Sequence, residues 1–172
     1  MIYRRQPTDW TDDPVLRGSY ERAARVAYPD FRHRRIQRQR NGPVRVYTAT
    51  VPVTGSPHRK AVAEFDSRWP SHPRLFADGP TDSPHRYPAR GRTELCVWYP
   101  EDPPTRRWLP TDGLLALFAM ISEHLFKEAW WRANGVWLGD EAPHGRPGSD
   151  DPMQQRSGRE QPFADAGSAD QL

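Results

Sequence analysis

From residue 112 to 135, apolar side chains return every three or four positions along "DGLLALFAMISEHLFKEAWWRANG": Leu114, Leu117, Phe118, Ile121 and Leu125 share one stripe, widened by Phe126 and Trp130. That recurrence predicts a long core helix capped by Thr111 and terminated by Gly135, with a break allowed near Glu123. A second helical pattern lies near the start. Asp12 or Asp13 serves as its cap, Pro14 suits the first turn, Leu16, Tyr20, Ala23 and Ala27 recur at helical spacing, and Pro29 closes it.

Between these two patterns the period changes to two. "VRVYTATVPV" (44–53) sets Val44, Val46, Thr48 and Thr50 against Arg45, Tyr47, Ala49 and Val51, with the β-branched enrichment of a strand. "GSPH" then reads as a hairpin connection into "RKAVAEFDSRW" (59–69), a second strand antiparallel to the first. A short third strand is expected around Leu75 and Phe76, bracketed by prolines, giving a three-stranded meander. The basic run "FRHRRIQRQRNGP" reads as a solvated connection ending in a turn at Asn41, Gly42 and Pro43. Pro80 to Arg92 is polar and rich in Gly and Pro, hence a surface loop. It leads to Cys96, set among Leu95, Val97, Trp98 and Tyr99 as though inside a strand. "VWLGDEAPHG" lies against the domain, and residues 146–172, with almost no apolar side chain, read as a disordered tail. The fold class is therefore α+β, one domain over 1–145 with one sheet face covered by helix.

Composition narrows this further. A chain of 172 residues with 35% apolar content and seven Trp can build one real core, while a mean hydropathy of −0.92 and 19 Pro imply long exposed loops. The longest apolar stretch, "GLLALFAMI" (113–121), falls far short of the ~18 residues that span a membrane. "MIYRRQPTDW" lacks the apolar core of a secretion signal, and one cysteine makes no internal disulfide, so the expected location is cytoplasmic. The net charge of +3 is almost all arginine, Lys60 and Lys127 being the only lysines.

Familiar nucleotide-binding and redox signatures do not occur: there is no GxxxxGK[ST], GxGxxG or CxxC, and the six histidines form no HExxH. No cofactor or metal is expected. Cys96 is left as the group with distinctive chemistry. Its residue type fits either a small buried hydrophobe or a nucleophile, and a polar loop carrying His85 lies eleven residues before it.

The order of several pieces resembles a ubiquitin-conjugating enzyme: "RWPSHPRLF" (68–76) for the proline-rich strand end, "SPHRYPARGRTELCVWYP" (83–100) for the His motif and the nucleophile, and "RRWLPTDGLLALF" (106–118) for the W-x-P element and its helix. With "WWRANGVWLG" (130–139), the chain is most similar to bacterial members found beside CBASS antiphage genes, over roughly residues 12–145. The resemblance implies a ubiquitin-conjugating-enzyme-like fold and a Cys96 thioester that passes a protein's C-terminal acyl group to a target lysine. It implies as donor a ubiquitin-like protein or the C-terminus of a CD-NTase-type nucleotidyltransferase, with a separate activating enzyme as a further partner. Trp108 and Pro110 are expected to pack beside the neighbours of Cys96. His85, Arg86, Arg90 and Arg92 are candidates to raise the thiolate fraction, or else solvated loop charges. The sequence departs from the family where an oxyanion-binding Asn belongs: the "HRY" run puts Tyr87 there. His144 is a candidate to deprotonate the acceptor amine. Two alternatives stay open: a catalytically weak adaptor gripping a partner's tail, and a nucleic-acid-binding protein using Arg32, Arg34, Arg35, Arg38 and Arg40.

Overall fold

A computed structural model describes residues 10–38, 42–89 and 91–139. The chain divides into two units, 1–141 and 142–172, and every described residue belongs to the first. The expected tail at 146–172 and His144 lie outside the described residues.

Helix α1 (Pro14–Ala27) starts where Asp13 accepts the backbone N–H groups of Val15 and Leu16 at 2.9 and 3.0 Å, with Pro14 supplying a first-turn residue that has no N–H to satisfy. Its inward face matches the predicted one only at Tyr20. Ala24 is buried and Tyr20 packs on the core, while Leu16, Ala23 and Ala27 are exposed. The long side chains of Arg17 and Glu21 share the covered face, with Glu21 meeting Tyr47 and His33, so charge disguised the helix's real orientation.

The basic run is a strand rather than a connection. β1 (Arg32–Arg38) pairs antiparallel with β2 (Gly42–Val53), His33 opposite Tyr47 and Ile36 opposite Val44. The sheet therefore has four strands, not three, in the order β1-β2-β3-β4 with β3 (Ser56–Asp66) and β4 (Arg74–Ala77). Phe31, at the entry to β1, is buried, and the His33 and Tyr47 rings stack 4.7 Å apart. β1 alternates by contact rather than by hydropathy, and its exposed arginines suit an edge strand, whose charges discourage edge-to-edge pairing.

Helix α2 (Gly113–Asn134) runs unbroken past Glu123 and covers the sheet over Tyr47, Ala49, Val51, Ala61, Ala63 and Phe65. Opposed Ala49 and Ala61 let the helix approach, and Leu114, Leu117, Phe118, Ile121 and Leu125 fill the space above them, the stripe its sequence predicts. Gly135 ends the helix in the left-handed region at φ 73°, donating to the Trp131 carbonyl at 2.7 Å. The start is set by Asp112, which accepts the Leu109 N–H at 2.7 Å, while Thr111 lies inside a 3-10 turn, Pro110–Asp112. Among the described residues no helix is long and apolar enough to cross a membrane.

Candidate functional site

The stretch expected as a surface loop before Cys96 contains a small hairpin, β5 (Arg86–Ala89) and β6 (Arg92–Leu95). Its register sets Arg86 opposite Leu95 and Tyr87 opposite Glu94. Residues 85 and 96 therefore meet at the open end of the hairpin, where the Cys96 N–H donates to the His85 carbonyl at 2.9 Å. The eleven-residue separation is a hairpin spacing. Cys96 itself lies just past the end of β6, half-buried with its thiol free, after a Leu95 that is part of the core.

The charge around the thiol is opposite to the expected sign. Burial pushes the Cys96 thiol up, and the carboxylates of Asp102 and Glu94 push the same way. The arginines meant to favour the thiolate are engaged elsewhere. Arg86 is bound by Glu128, and Arg92 pairs with Glu64 while its guanidinium lies 3.6 Å over the Phe76 ring. A guanidinium neutralised by its own carboxylate adds little field at the sulfur. Arg90 lies outside the described residues.

The two carboxylates are held by local geometry. Asp102 accepts the Tyr99 N–H at 2.9 Å and returns its own N–H to the Tyr99 carbonyl at 3.0 Å, closing a turn just after the cysteine. Glu94 is fixed by Arg74 at 2.9 Å. Across the hairpin, burial, the Glu94 charge and its hydrogen bond push the Tyr87 phenol up to about 12, with a smaller push from Cys96. Tyr87, 46% exposed, therefore keeps its proton at any working pH, within electrostatic reach of the sulfur.

His85 has a different surrounding. It is 5% exposed, its ring centroid 3.8 Å from that of Trp137 and 6.1 Å from that of His124. The structure thus brings together Cys96, Tyr87 and the backbone of His85, and adds Glu94 and Asp102, which the sequence had not singled out. Asp102 follows Cys96 by six residues in a proline-bracketed turn, which was the available signal.

Trp108 is buried in the same core as Leu95, against Trp10 and Phe65, and its indole N–H donates to the Gly113 carbonyl at 2.9 Å. It anchors the start of α2. An open cleft of about 240 Å³ lies between β2, β3 and the approach to β4, lined by Val44, Trp69, His72 and Arg74 among others. Arg74 joins this cleft to Glu94 and so to the edge of the cysteine site.

These features define an α+β protein with one half-buried thiol at the mouth of a hairpin, flanked by carboxylates and a protonated tyrosine. The family model described as type II CBASS E2 protein matches residues 27–145, more than half of the 172-residue chain, and the chain belongs to that family. Membership places it among E2-like proteins of CBASS antiphage defence. A comparison with curated proteins finds no match.

Proposed function

We propose that the protein carries a partner's C-terminal acyl group as a thioester on Cys96 and transfers it to an amine, with a ubiquitin-conjugating-enzyme-like fold as the frame. The observation that carries this is the thiol's setting: half-buried at the mouth of the hairpin, beside a protonated Tyr87 and bordered by carboxylates. The donor is a protein C-terminus activated elsewhere, by a separate enzyme, and a nucleotidyltransferase of the same defence system or a ubiquitin-like protein fits the family.

In the first step the Cys96 sulfur attacks the activated carbonyl, the thiol proton passes to solvent, and the bond to the activating group breaks as the C–S bond forms. In the second, an acceptor amine attacks the thioester carbonyl, the C–N bond forms, and the Cys96 thiolate leaves. Tyr87, protonated and hydrogen-bonded to Glu94, can turn its O–H to donate to the developing oxyanion, taking the part of the missing Asn. Asp102 is suited to receive the proton that the attacking nitrogen becomes able to release as the C–N bond forms. His144 keeps its proposed role with the acceptor amine and Arg32, Arg34 and Arg35 form an exposed basic strand, but neither is needed for these steps.

Mass spectrometry of wild type and Cys96→Ala incubated with a CBASS nucleotidyltransferase or a ubiquitin-like protein, an activating enzyme and ATP tests this. A thiol-labile adduct on Cys96, absent from the variant, is the expected result. A second function, a partner-tail adaptor, is favoured by the raised thiol and the Trp69 cleft. A partner complex that survives Cys96→Ala with no adduct in either sample would establish the adaptor instead.

A further inference from the structure

Glu128 is a buried charged residue of α2. It and Arg86 each expose 1% of their side chains, with Arg86 Nε 2.8 and 3.0 Å from the two carboxylate oxygens and Nη2 2.9 Å from one of them. The same guanidinium donates to the carbonyls of Ala77 at 3.1 Å and Asp78 at 3.4 Å. Arg86 is the residue after His85, so its side chain ties the entry of β5 to the end of β4 and to α2 at once. Glu128 also receives Arg132 Nη2 at 3.5 Å, and Arg132 reaches out to Asp82 at 2.7 Å and the Pro80 carbonyl at 3.1 Å. A second route runs through rings. His124 Nε2 lies 3.4 Å from Glu128 Oε1, the His124 ring is 5.5 Å from Trp137, and the Trp137 ring lies tilted against His85.

Ordinary packing would not require a carboxylate there. A buried ion pair adds little net stability over apolar residues of the same shape, so its value lies in fixing one geometry, and here the geometry fixed is that of the segment bonded to Cys96.

We propose that Glu128 is a positioning residue for the thiol: through Arg86, and through His124 and Trp137, it holds His85 so that its carbonyl keeps the Cys96 N–H and the thiol stays half-buried beside Tyr87. This role rests on the proposed thioester chemistry for its purpose, but its physical content is independent of any donor.

The test uses full-length protein and iodoacetamide, for which Cys96 is the only cysteine target. Glu128→Gln should loosen the segment, lower the pH midpoint of alkylation by about half a unit and raise the rate at pH 7.5 about threefold. Exchange of the Cys96 amide should lose its protection. Val51→Ala, a buried core truncation outside this network, serves as control at matched loss of Tm and should move neither readout. If Glu128→Gln does not fold, the double variant Arg86→Met with Glu128→Leu, which removes both charges of the pair, is measured in its place. Unchanged alkylation and amide protection, or equal changes in Val51→Ala, would overturn the proposal. Because alkylation needs no partner, that failure leaves the adduct experiment on Cys96 standing, and absence of the adduct leaves this result standing.

Discussion

Replacing Arg86 by Met removes one partner of the buried pair. The substitution keeps the apolar stem, in a shorter side chain, while removing the cation that Glu128 faces at 2.8 to 3.0 Å with both side chains 1% exposed. Removing one partner of a buried pair costs ~3–5 kcal/mol. A second route gives a similar size. Burial works against the Glu128 charge, but His124 and Arg86 outweigh it and hold the carboxyl at about 2 against an ordinary 4.5, a drop worth on the order of 3 kcal/mol. That figure includes His124, so the Arg86 share is smaller, and the carbonyls of Ala77 and Asp78 left without their donor make up the difference. About 3 kcal/mol at pH 7 is the expected loss. The folded-state value lies below the unfolded one, so this stabilisation is complete above pH 4.5 and fades as pH falls toward 2. In the variant burial dominates and Glu128 takes up its proton earlier. Urea unfolding of both proteins should therefore show a gap that shrinks by roughly half between pH 7 and pH 3. A gap below about 1 kcal/mol at pH 7, or one that is the same at both pH values, would refute the energetics assigned to the pair.

The thiol offers a second check: Asp102→Asn keeps an acceptor for the Tyr99 N–H but removes a charge that pushes Cys96 up, so the pH midpoint of alkylation should fall, and a rise would contradict the assigned electrostatics. Gly113 stands at φ 74° with the place of a Cβ only 2.8 Å from the Tyr20 ring, so Gly113→Ala should cost roughly 2–3 kcal/mol in urea unfolding, and a loss under about 1 kcal/mol would show that the helix start yields.

What the sequence disclosed was whatever its local patterns encode. The β2–β3 hairpin and α2 carry strong periods and glycine stops, and both form where those patterns lie. β1 was missed because its arginines hide an alternation visible only when Tyr47 is opposite His33. The β5–β6 hairpin has four residues per strand and is pinned by Arg86 to a carboxylate 42 positions away, a contact that no local window contains. His124 and Glu128 do leave a trace. They continue the buried stripe of Leu117 and Ile121 at helical spacing, and two polar residues on a core stripe are a reason to look for buried partners. The separation of His85 and Cys96 was legible, but its meaning was not, since the link is made by backbone atoms while the imidazole lies against Trp137.

The reversed charge at Cys96 bears on how acyl transfer would be timed. A thiol held up by burial and by Asp102 and Glu94 is a poorer leaving group than a free one, because departure slows as thiol pKa rises. A thioester formed there, under the proposed chemistry, waits. The acceptor then supplies what the site lacks: a lysine ammonium is drawn toward the two carboxylates, and the proton its nitrogen leaves on Asp102 removes one of the negative charges facing the place where the thiolate must appear. Water gains no such attraction, so the same acidic border that slows the empty thiol would favour the amine over hydrolysis once the acyl group is loaded.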